Sequence, residues 1–242
     1  MNKTDTHHIE LATSGYTIIE NVFTGQDVEA LINTINCADK SNPLFRKTND
    51  LFAIRQFLKE VPGVKELIFN ERLKAWIRDL FDESYFVVKS IYFDKPPQSN
   101  WFVACHQDLT ISVKEKIDNP GFGPWTVKQN QFAVQPPLNI LEDNFTIRIH
   151  LDDTDENNGA LKVITGSHLK GIYRPETVDR TVEQEVCCLV KKGGIMIMRP
   201  LLLHASSRTK NEERRRVIHI EFSRRELPEG MEWAEKETIS RI

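Results

Sequence analysis

The chain has 242 residues, of which 40% are hydrophobic and 28% are charged, a composition that excludes a disordered or fibrous protein. Its 32 Lys and Arg residues and 35 Asp and Glu residues leave a formal net charge of −3, so no positive field attracts nucleic acid. The polar start lacks a secretory signal, and no stretch approaches the roughly 18 apolar residues of a membrane helix. We therefore expect one cytoplasmic domain, residues 1–242, that requires no membrane, nucleic-acid or protein partner.

The first third of the chain has the apolar spacing of helices. Thr24, followed three residues later by Asp27, is a helix-start signature, and apolar residues recur at helical spacing after it. The spacing of Leu51, Ile54 and the apolar residues after them predicts another helix, which ends near a Pro-Gly pair. One or two further helices are predicted before residue 82. Residues 1–84 are therefore expected to form a mostly helical buttress.

Beyond residue 84 the pattern changes to short β-branched and aromatic runs separated by Pro, Gly and Asn clusters. No helix-sized amphipathic segment separates these runs, which argues against a parallel βαβ sheet and favours an antiparallel sandwich or barrel. We expect this core to occupy residues 85–223. The predicted strands are 85–94, 101–109, 145–152, 160–164, 186–191, 194–199 and 215–223.

One long segment, residues 110–144, is rich in Pro, Gly, Gln and Asn and has no clear strand or helix pattern. A structureless loop of this length inside a domain is usually functional, so we interpret the segment as a lid or substrate loop. Its aromatic residues, among them Phe122, Trp125 and Phe132, suggest a partly apolar ligand. They are equally consistent with a lid that only seals the site against water.

A possible metal site begins with His106 and Asp108, which point to the same face of a strand because strand side chains alternate. Two histidines and one carboxylate with open positions are the ligand set of non-haem Fe(II) oxygenases. A His-x-Asp pair alone is weak evidence, since it also arises by chance. The best third ligand is His204, because it closes an apolar strand and precedes Arg215 by eleven residues; His7 and His8 lie in a terminus that we expect to be mobile.

These residues resemble the phytanoyl-CoA dioxygenase-like family of Fe(II)/2-oxoglutarate-dependent oxygenases over about residues 13–222. The resemblance depends on His106-Gln107-Asp108, on the run LDDTDENNGAL at 151–161 that leads into Gly-Ser-His, and on a Gly-Gly pair before His204. Arg215 completes the pattern. The joint occurrence of these motifs in this order is far more specific than any one of them.

The resemblance implies a double-stranded β-helix, also called a jelly roll or cupin-like fold, with the N-terminal helices packed on one sheet. It implies that His106, Asp108 and His204 bind Fe(II) and that Arg215 pairs with the far carboxylate of 2-oxoglutarate, with O2 as the third reactant. Ser206 matches a family position whose hydroxyl contacts the same carboxylate. Two further residues correspond only loosely to co-substrate contacts in the family, namely Lys89 and Trp125.

The alternation of strand residues distinguishes Arg215 from its neighbours. Arg216 shares a face with the apolar Ile218, Ile220 and Phe222. Arg215 shares a mixed face with Val217, His219 and Glu221, so it is expected to point into a polar cavity. A planar guanidinium can also pair with a carboxylate through two hydrogen bonds, which a lysine cannot do. By the same parity, Arg148 and His150 share a polar face and could contact the substrate, although a strand histidine is more often structural.

The resulting prediction is an oxygenase that hydroxylates an unactivated C–H bond of a small-molecule metabolite, with release of succinate and CO2. The presence of Asp108 disfavours halogenation, since halogenating relatives lack this carboxylate. Two alternatives stay open: another outcome of the same site, such as desaturation, epimerisation or ring formation, and a cupin-like protein that binds a metal or small molecule without turnover. Substrate and oligomeric state are not predicted.

Overall fold

The computed structural model describes residues 3–38, 45–50, 52–128 and 131–239. Within them the chain forms fifteen strands, six α-helices and two short 3-10 helices. The helices are α1 (Lys3–Thr13), α2 (Gly25–Asn36), α3 (Phe57–Glu60), α4 (Val64–Ile68), α5 (Glu71–Leu80) and α6 (Leu138–Glu142). The strands are β1 (Tyr16–Ile19), β2 (Phe45–Lys47), β3 (Phe52–Arg55), β4 (Phe86–Lys95), β5 (Val103–His106), β6 (Ile111–Val113), β7 (Trp125–Lys128), β8 (Gln131–Val134), β9 (Phe145–His150), β10 (Leu161–Ile164), β11 (Glu185–Cys187), β12 (Ile195–Met198), β13 (His204–Ser206), β14 (Arg215–Ser223) and β15 (Glu237–Thr238).

Two antiparallel sheets face each other and form a jelly roll. The main sheet has the order β1-β12-β9-β14-β4-β3-β2, with β15 also paired to β4, and the second sheet has the order β11-β10-β13-β5. A cavity between them is lined from both sheets, with side chains from β4, β9 and β14 on one side and from β5, β10 and β13 on the other. The predicted fold is therefore confirmed, and each of the seven predicted strands overlaps an observed one.

The helices cover the outer face of the main sheet. Helix α2 begins with the predicted capping box, in which the Thr24 hydroxyl accepts from the Asp27 N–H at 3.1 Å and the Asp27 carboxylate accepts from the Thr24 N–H at 2.7 Å. The largest apolar cluster lies between the helices and this face. Its strand members include Ile147, Ile149 and Phe222, all fully buried. The largest hydrophobic cluster thus lies outside the jelly roll, and a smaller one, with Val163, Met196 and Met198, lies between its two sheets.

Residues 1–84 are less helical than the sequence suggests, because β1, β2 and β3 join the main sheet. The helix predicted from residue 50 is wrong at its start, because β3 lies there and pairs with β4, with Ile54 opposite Tyr92. Between β3 and Pro62 only the short helix α3 forms. A short apolar run does not distinguish a strand from a helix by spacing, and pairing with β4 decides the outcome. Leu51, which contributed to that prediction, lies outside the described residues.

The expectation of a mobile N-terminus is also wrong, because residues 3–13 form α1. His7 Nδ1 lies 2.7 Å from the Thr17 hydroxyl, and its ring packs edge-on against Trp76 of α5 at a centroid distance of 5.2 Å. His8 Nε2 contacts the carbonyl oxygen of Asp79 at 3.1 Å. Both histidines therefore tie α1 to the rest of the fold. Among the helices described, none combines the length and apolarity of a membrane span.

Segment 110–144 is not a structureless loop. It contains a three-stranded sheet, β6-β8-β7, and the helix α6, and these elements enclose a second apolar cluster with Ile111, Val134 and Trp233. Phe122, Trp125 and Phe132 pack against this cluster. The short strands were hidden by the Pro, Gly and Gln residues that join them. The segment's aromatic rings therefore stabilise a small core of their own; residues 129 and 130 lie outside the described part.

Candidate metal centre

The register of the second sheet brings two histidines together. His106 ends β5 and lies directly opposite His204, the first residue of β13, so that the ring centroids are 4.4 Å apart. Asp108 follows β5 by two residues, and its N–H donates to the Pro200 carbonyl at 2.9 Å, which fixes the backbone there. Strand pairing and one backbone hydrogen bond thus bring together three side chains from two distant parts of the chain.

The three side chains present their ligand atoms to one common point. His106 Nε2 lies 3.7 Å from Asp108 Oδ1, and His204 Nε2 lies 3.8 Å from Asp108 Oδ2. These distances are too long for hydrogen bonds. Two ligands bound to one ion at about 2.1 Å each lie at most about 4.2 Å apart, so both separations suit a shared cation. All the ligand atoms of the triad lie within 4.8 Å of one another.

Backbone carbonyls orient both imidazoles. His106 Nδ1 donates to the Ala104 carbonyl at 2.8 Å, and His204 Nδ1 donates to the Leu202 carbonyl at 2.9 Å. Because a carbonyl oxygen only accepts, Nδ1 carries a proton in each ring, and Nε2, which faces Asp108, is the atom available to bind a metal. This is the arrangement in which histidines bind metals, and the carbonyls act as the supporting shell.

The electrostatics of the cluster favour the metal-binding protonation states of His204 and Asp108, whereas the adjacent Asp108 raises the pKa of His106. Burial lowers the pKa of His204 to about 4, so its imidazole is neutral near pH 7. Burial also raises the pKa of the Asp108 carboxyl, but the nearby His204, His106 and Lys89 outweigh that effect and hold it well below its usual range. Asp108 Oδ2 is buried and has no hydrogen-bond partner among the described residues. A cation would satisfy this carboxylate.

The triad opens into a cavity of about 150 Å³ between the two sheets. The side chain of His106 is 40% exposed and that of His204 only 7%, so the centre is reached from the side of β5. The cavity is lined by Lys89, Ile91, Phe93, Trp101, Val103, His106, Asp108, Arg148, Leu161, His204, Ser206, Arg215, His219 and Glu221.

A buried guanidinium lies in the same cavity. Arg215 is 2% exposed, and its Nε and Nη1 atoms have no hydrogen-bond partner among the described residues. Its Nη2 is 3.5 Å from the Ser206 hydroxyl, which itself donates to the Gly159 carbonyl at 2.8 Å. Burial, and next the charge of Arg148, lower the pKa of Arg215 to about 9. A buried guanidinium with free donors destabilises the folded protein unless an anion pairs with it, and a carboxylate can accept its hydrogen bonds.

The two adjacent arginines have partners of their own outside the cavity. Arg216 pairs with Asp152 through contacts of 2.6 and 2.9 Å, and Arg214 pairs with Asp94 at 2.5 and 2.6 Å. Arg215 alone of the three lines the cavity. The strand register is therefore the one that the alternation of residues predicts.

The remaining predicted site residues are divided between the cavity and other places. Lys89 and Arg148 line the cavity, and Lys89 Nζ donates to Glu221 at 2.6 Å. His150 does not line it; its Nδ1 contacts the Thr154 hydroxyl at 2.8 Å, in keeping with a structural role. Trp125 is also absent from the lining, because it lies in β7 and packs on the second apolar cluster.

Several residues near the cavity had no predicted role. His219 and Glu221 line it, although the sequence indicated only that they share a mixed face of β14 with Arg215. Lys95 is fully buried, lies opposite Arg215 in the β4–β14 register, and donates to the Ser207 carbonyl. This position follows from strand pairing, which a single sequence does not reveal.

Gly159, in the turn before β10, has a φ of +84°. A Cβ atom there would lie 2.6 Å from both Lys95 Nζ and the Ser207 carbonyl oxygen. Only glycine therefore allows this turn to approach β13 so closely.

Comparisons with known proteins identify one family and several solved structures that are similar to this chain. A family model described as phytanoyl-CoA dioxygenase (PhyH) matches residues 11–217. No curated protein matches the sequence significantly. Among solved structures, the chain is similar to the non-haem α-ketoglutarate-dependent carbocyclase SnoK from nogalamycin biosynthesis, with 14% identity, a TM-score of 0.65, and coverage of 92% of this chain and 84% of that one.

Two further solved structures contain ligands of the kind that the site suggests. One is the epimerase SnoN in complex with Fe3+, α-ketoglutarate and nogalamycin RO, with 13% identity, a TM-score of 0.66, and coverage of 97% of this chain and 94% of that one. The other is HygX from Streptomyces hygroscopicus with nickel and 2-oxoglutarate bound, with 16% identity, a TM-score of 0.63, and coverage of 92% and 87%. At these identities the likeness establishes the fold.

Proposed function

The chain belongs to the phytanoyl-CoA dioxygenase family of Fe(II)- and 2-oxoglutarate-dependent oxygenases, and on that premise we propose that it hydroxylates an unactivated C–H bond of a small-molecule metabolite. Succinate and CO2 are the co-products of this reaction. The observation that carries the proposal is the shared cavity: a 2-His-1-carboxylate triad and a buried arginine with free donors line the same space.

We assign the metal to His106, Asp108 and His204, and the far carboxylate of 2-oxoglutarate to Arg215 and Ser206. The three ligands would leave the remaining coordination positions of Fe(II) open. When bound, the iron, 2-oxoglutarate and O2 supply the oxidising chemistry. The chain's own residues hold the metal in a fixed geometry, anchor the co-substrate, and shield the reacting atoms between two sheets.

The cavity of the triad, about 150 Å³, is smaller than the roughly 300–1,000 Å³ typical of small-molecule sites. A neighbouring cavity of about 420 Å³ shares two lining residues with it, Lys89 and Ile91. Its opposite wall comes from segment 110–144, with Thr110, Ser112 and Gln131 among the lining residues. We propose that the substrate occupies this space and reaches the metal past Lys89. Val113 and Phe132 line the same wall, so it can bind the polar groups of a metabolite together with an apolar part.

A different outcome in the same site is the second candidate function. The structurally similar proteins include one named a carbocyclase and two structures of one named an epimerase, so the same fold is associated with ring formation and epimerisation. Desaturation belongs to the same group of outcomes. A non-catalytic metal-binding protein is less consistent with the free donors of Arg215, because a simple metal binder has no need of a co-substrate anchor.

The experiment that tests this proposal is aerobic turnover with Fe(II), 2-oxoglutarate and a library of polar metabolites, with succinate release as the first readout. Compounds that stimulate succinate release are then examined by mass spectrometry. Hydroxylation adds one oxygen atom to the substrate, desaturation or ring closure removes two hydrogens, and epimerisation leaves the mass unchanged. A product without added oxygen would contradict hydroxylation and support the second candidate.

A further inference from the structure

A second buried arginine lies in the cavity of the triad. Arg148 is in β9, beside β14, and is 6% exposed. Its Nε is buried without a hydrogen-bond partner, and no carboxylate among the described residues lies within ion-pair distance of its guanidinium. Burial lowers the pKa of Arg148 to about 10. The cavity thus contains two guanidinium groups whose donors are incompletely used, Arg215 and Arg148.

A chain of hydrogen bonds holds Arg148 in position. Its Nη1 donates to His219 Nδ1 at 3.0 Å, and since a guanidinium only donates, this histidine carries its proton on Nε2. His219 Nε2 then donates to Glu221 Oε1 at 3.1 Å, and the same oxygen accepts from Lys89 Nζ at 2.6 Å. The negative charge of Glu221 is therefore used by Lys89 and His219. Arg148 is oriented by this chain, and the carboxylate that acts on its charge is Asp108 of the triad, which forms no ion pair with it.

The two arginines lie at different distances from the triad. Arg215 and His219 are four residues apart on β14, which is about 13 Å along an extended strand. Arg148 lies opposite His219 in the register, and the ligand atoms of His219, Glu221 and Asp108 lie within 4.8 Å of one another. Arg148 is therefore at the metal end of the cavity, and Arg215 is at the far end.

From this arrangement we propose that Arg148 binds the carboxylate at the keto-acid end of 2-oxoglutarate, while Arg215 binds the opposite carboxylate. Each end of the co-substrate then meets its own buried guanidinium, and the free donors of both are satisfied by charge-assisted hydrogen bonds. The inference rests on the site assignment made above, and it gives Arg148 a role toward the co-substrate rather than the substrate.

The test compares two ligands that share only one end. 2-Oxoglutarate has both the metal-chelating end and the distal carboxylate, whereas oxalate chelates the metal but has no chain that reaches Arg215. Binding of each is measured by isothermal titration calorimetry to Ni(II)-loaded protein, which does not turn over. The proteins are the wild type, Arg148→Gln, Arg148→Lys and Arg215→Gln.

We expect Arg148→Gln to lower the affinity for 2-oxoglutarate and for oxalate by the same factor, about ten- to a hundredfold, because it removes a charge-assisted contact common to both ligands. Arg215→Gln should lower the affinity for 2-oxoglutarate by a similar factor and leave the affinity for oxalate within about twofold of the wild type. Arg148→Lys keeps the charge but not the planar fork, so it should lie between Arg148→Gln and the wild type for both ligands.

Arg216→Gln is the matched control, since it removes an arginine that pairs with Asp152 outside the cavity. It should leave both affinities unchanged. Thermal melting and a Ni(II) titration without ligand verify that each variant is folded and binds the metal. If Arg148→Gln does not fold, the Arg148→Lys protein carries the comparison.

Unchanged affinity for both ligands in folded, metal-binding Arg148 variants would overturn the inference. Loss of 2-oxoglutarate affinity with oxalate unchanged would also overturn it, since Arg148 would then act at the distal end. A wild-type protein that binds Ni(II) but neither ligand would instead contradict the site assignment itself. The two failures are therefore distinguishable.

Discussion

The two faces of the main sheet have opposite characters. On the outer face of β14, Ile218, Ile220 and Phe222 are fully buried beneath the helices. On the inner face of the same strand, Arg215 and His219 line the cavity of the triad. In an ordinary sandwich the space between the sheets is the apolar core. Here the helices cover the largest core, and the space between the sheets holds a smaller apolar cluster, with Val163, Met196 and Met198, beside the cavity of charged groups.

This division implies that stability and ligand binding respond to different residues of one strand. A change on the outer face should alter the free energy of unfolding, whereas a change on the inner face should alter metal or co-substrate binding. Substitutions at neighbouring residues of β14 should therefore affect different properties, stability at one residue and binding at the next.

The largest effect is expected at the triad. Asp108→Ala removes the carboxylate that both histidines face, so succinate formation should fall below about one hundredth of the wild-type rate. The rate is measured with Fe(II), 2-oxoglutarate and ascorbate. Thermal melting verifies that the variant is folded. Turnover within tenfold of the wild type would show that this carboxylate is not a ligand.

The next effect concerns the outer face. Phe222→Ala leaves a cavity against Phe145 and Phe69, whose ring centroids lie 4.7 and 6.4 Å from that of Phe222. The free energy of unfolding should fall by about 3–5 kcal/mol, as measured by urea denaturation. The protein that stays folded should bind 2-oxoglutarate as the wild type does. A loss of affinity without a loss of stability would break the division between the two faces.

Adjacent arginines give the sharpest comparison on a single strand. Arg215→Ala should weaken 2-oxoglutarate binding by about ten- to a hundredfold while metal affinity is kept, because a buried charge-assisted pair is lost. Arg216→Ala should change this affinity by less than about twofold, since its partner Asp152 lies outside the cavity. Calorimetry measures both. The reverse result would mean that the strand is out of register by one residue.

The smallest effect is a pH dependence from Lys95. Burial, and next the charge of Arg215, lower the pKa of Lys95 from 10.5 to about 7. The unfolded chain keeps this proton at higher pH than the folded protein does. Burial of the charged Lys95 therefore destabilises the folded protein fully below pH 7, and this destabilisation is relieved as the pH rises toward 10. Relative to Lys95→Met, wild-type stability should rise by on the order of 1 kcal/mol between pH 7 and 8. The free energy of unfolding of both proteins is measured by urea denaturation at each pH. The same change with pH in the two proteins would contradict this prediction.

The features that the sequence predicts well are local or periodic. The capping box at Thr24 involves residues three apart, and the face of Arg215 follows from alternation within one strand. The features that it misses depend on pairing between distant segments. Ile54 belongs to a strand because β4 lies beside it, and Trp125 lies away from the triad because segment 110–144 forms its own sheet. Lys95 is buried beside Arg215 only through the register of β4 and β14.

The most direct test of the assigned site is an anaerobic titration of the purified protein with Fe(II) and then 2-oxoglutarate, with His106→Ala as the control. A chelated keto acid gives a weak visible metal-to-ligand charge-transfer band, which needs no knowledge of the substrate. We expect the band in the wild type and its absence in His106→Ala. A wild-type protein that binds Fe(II) tightly but shows no band on addition of 2-oxoglutarate would contradict the assignment of the triad and of Arg215.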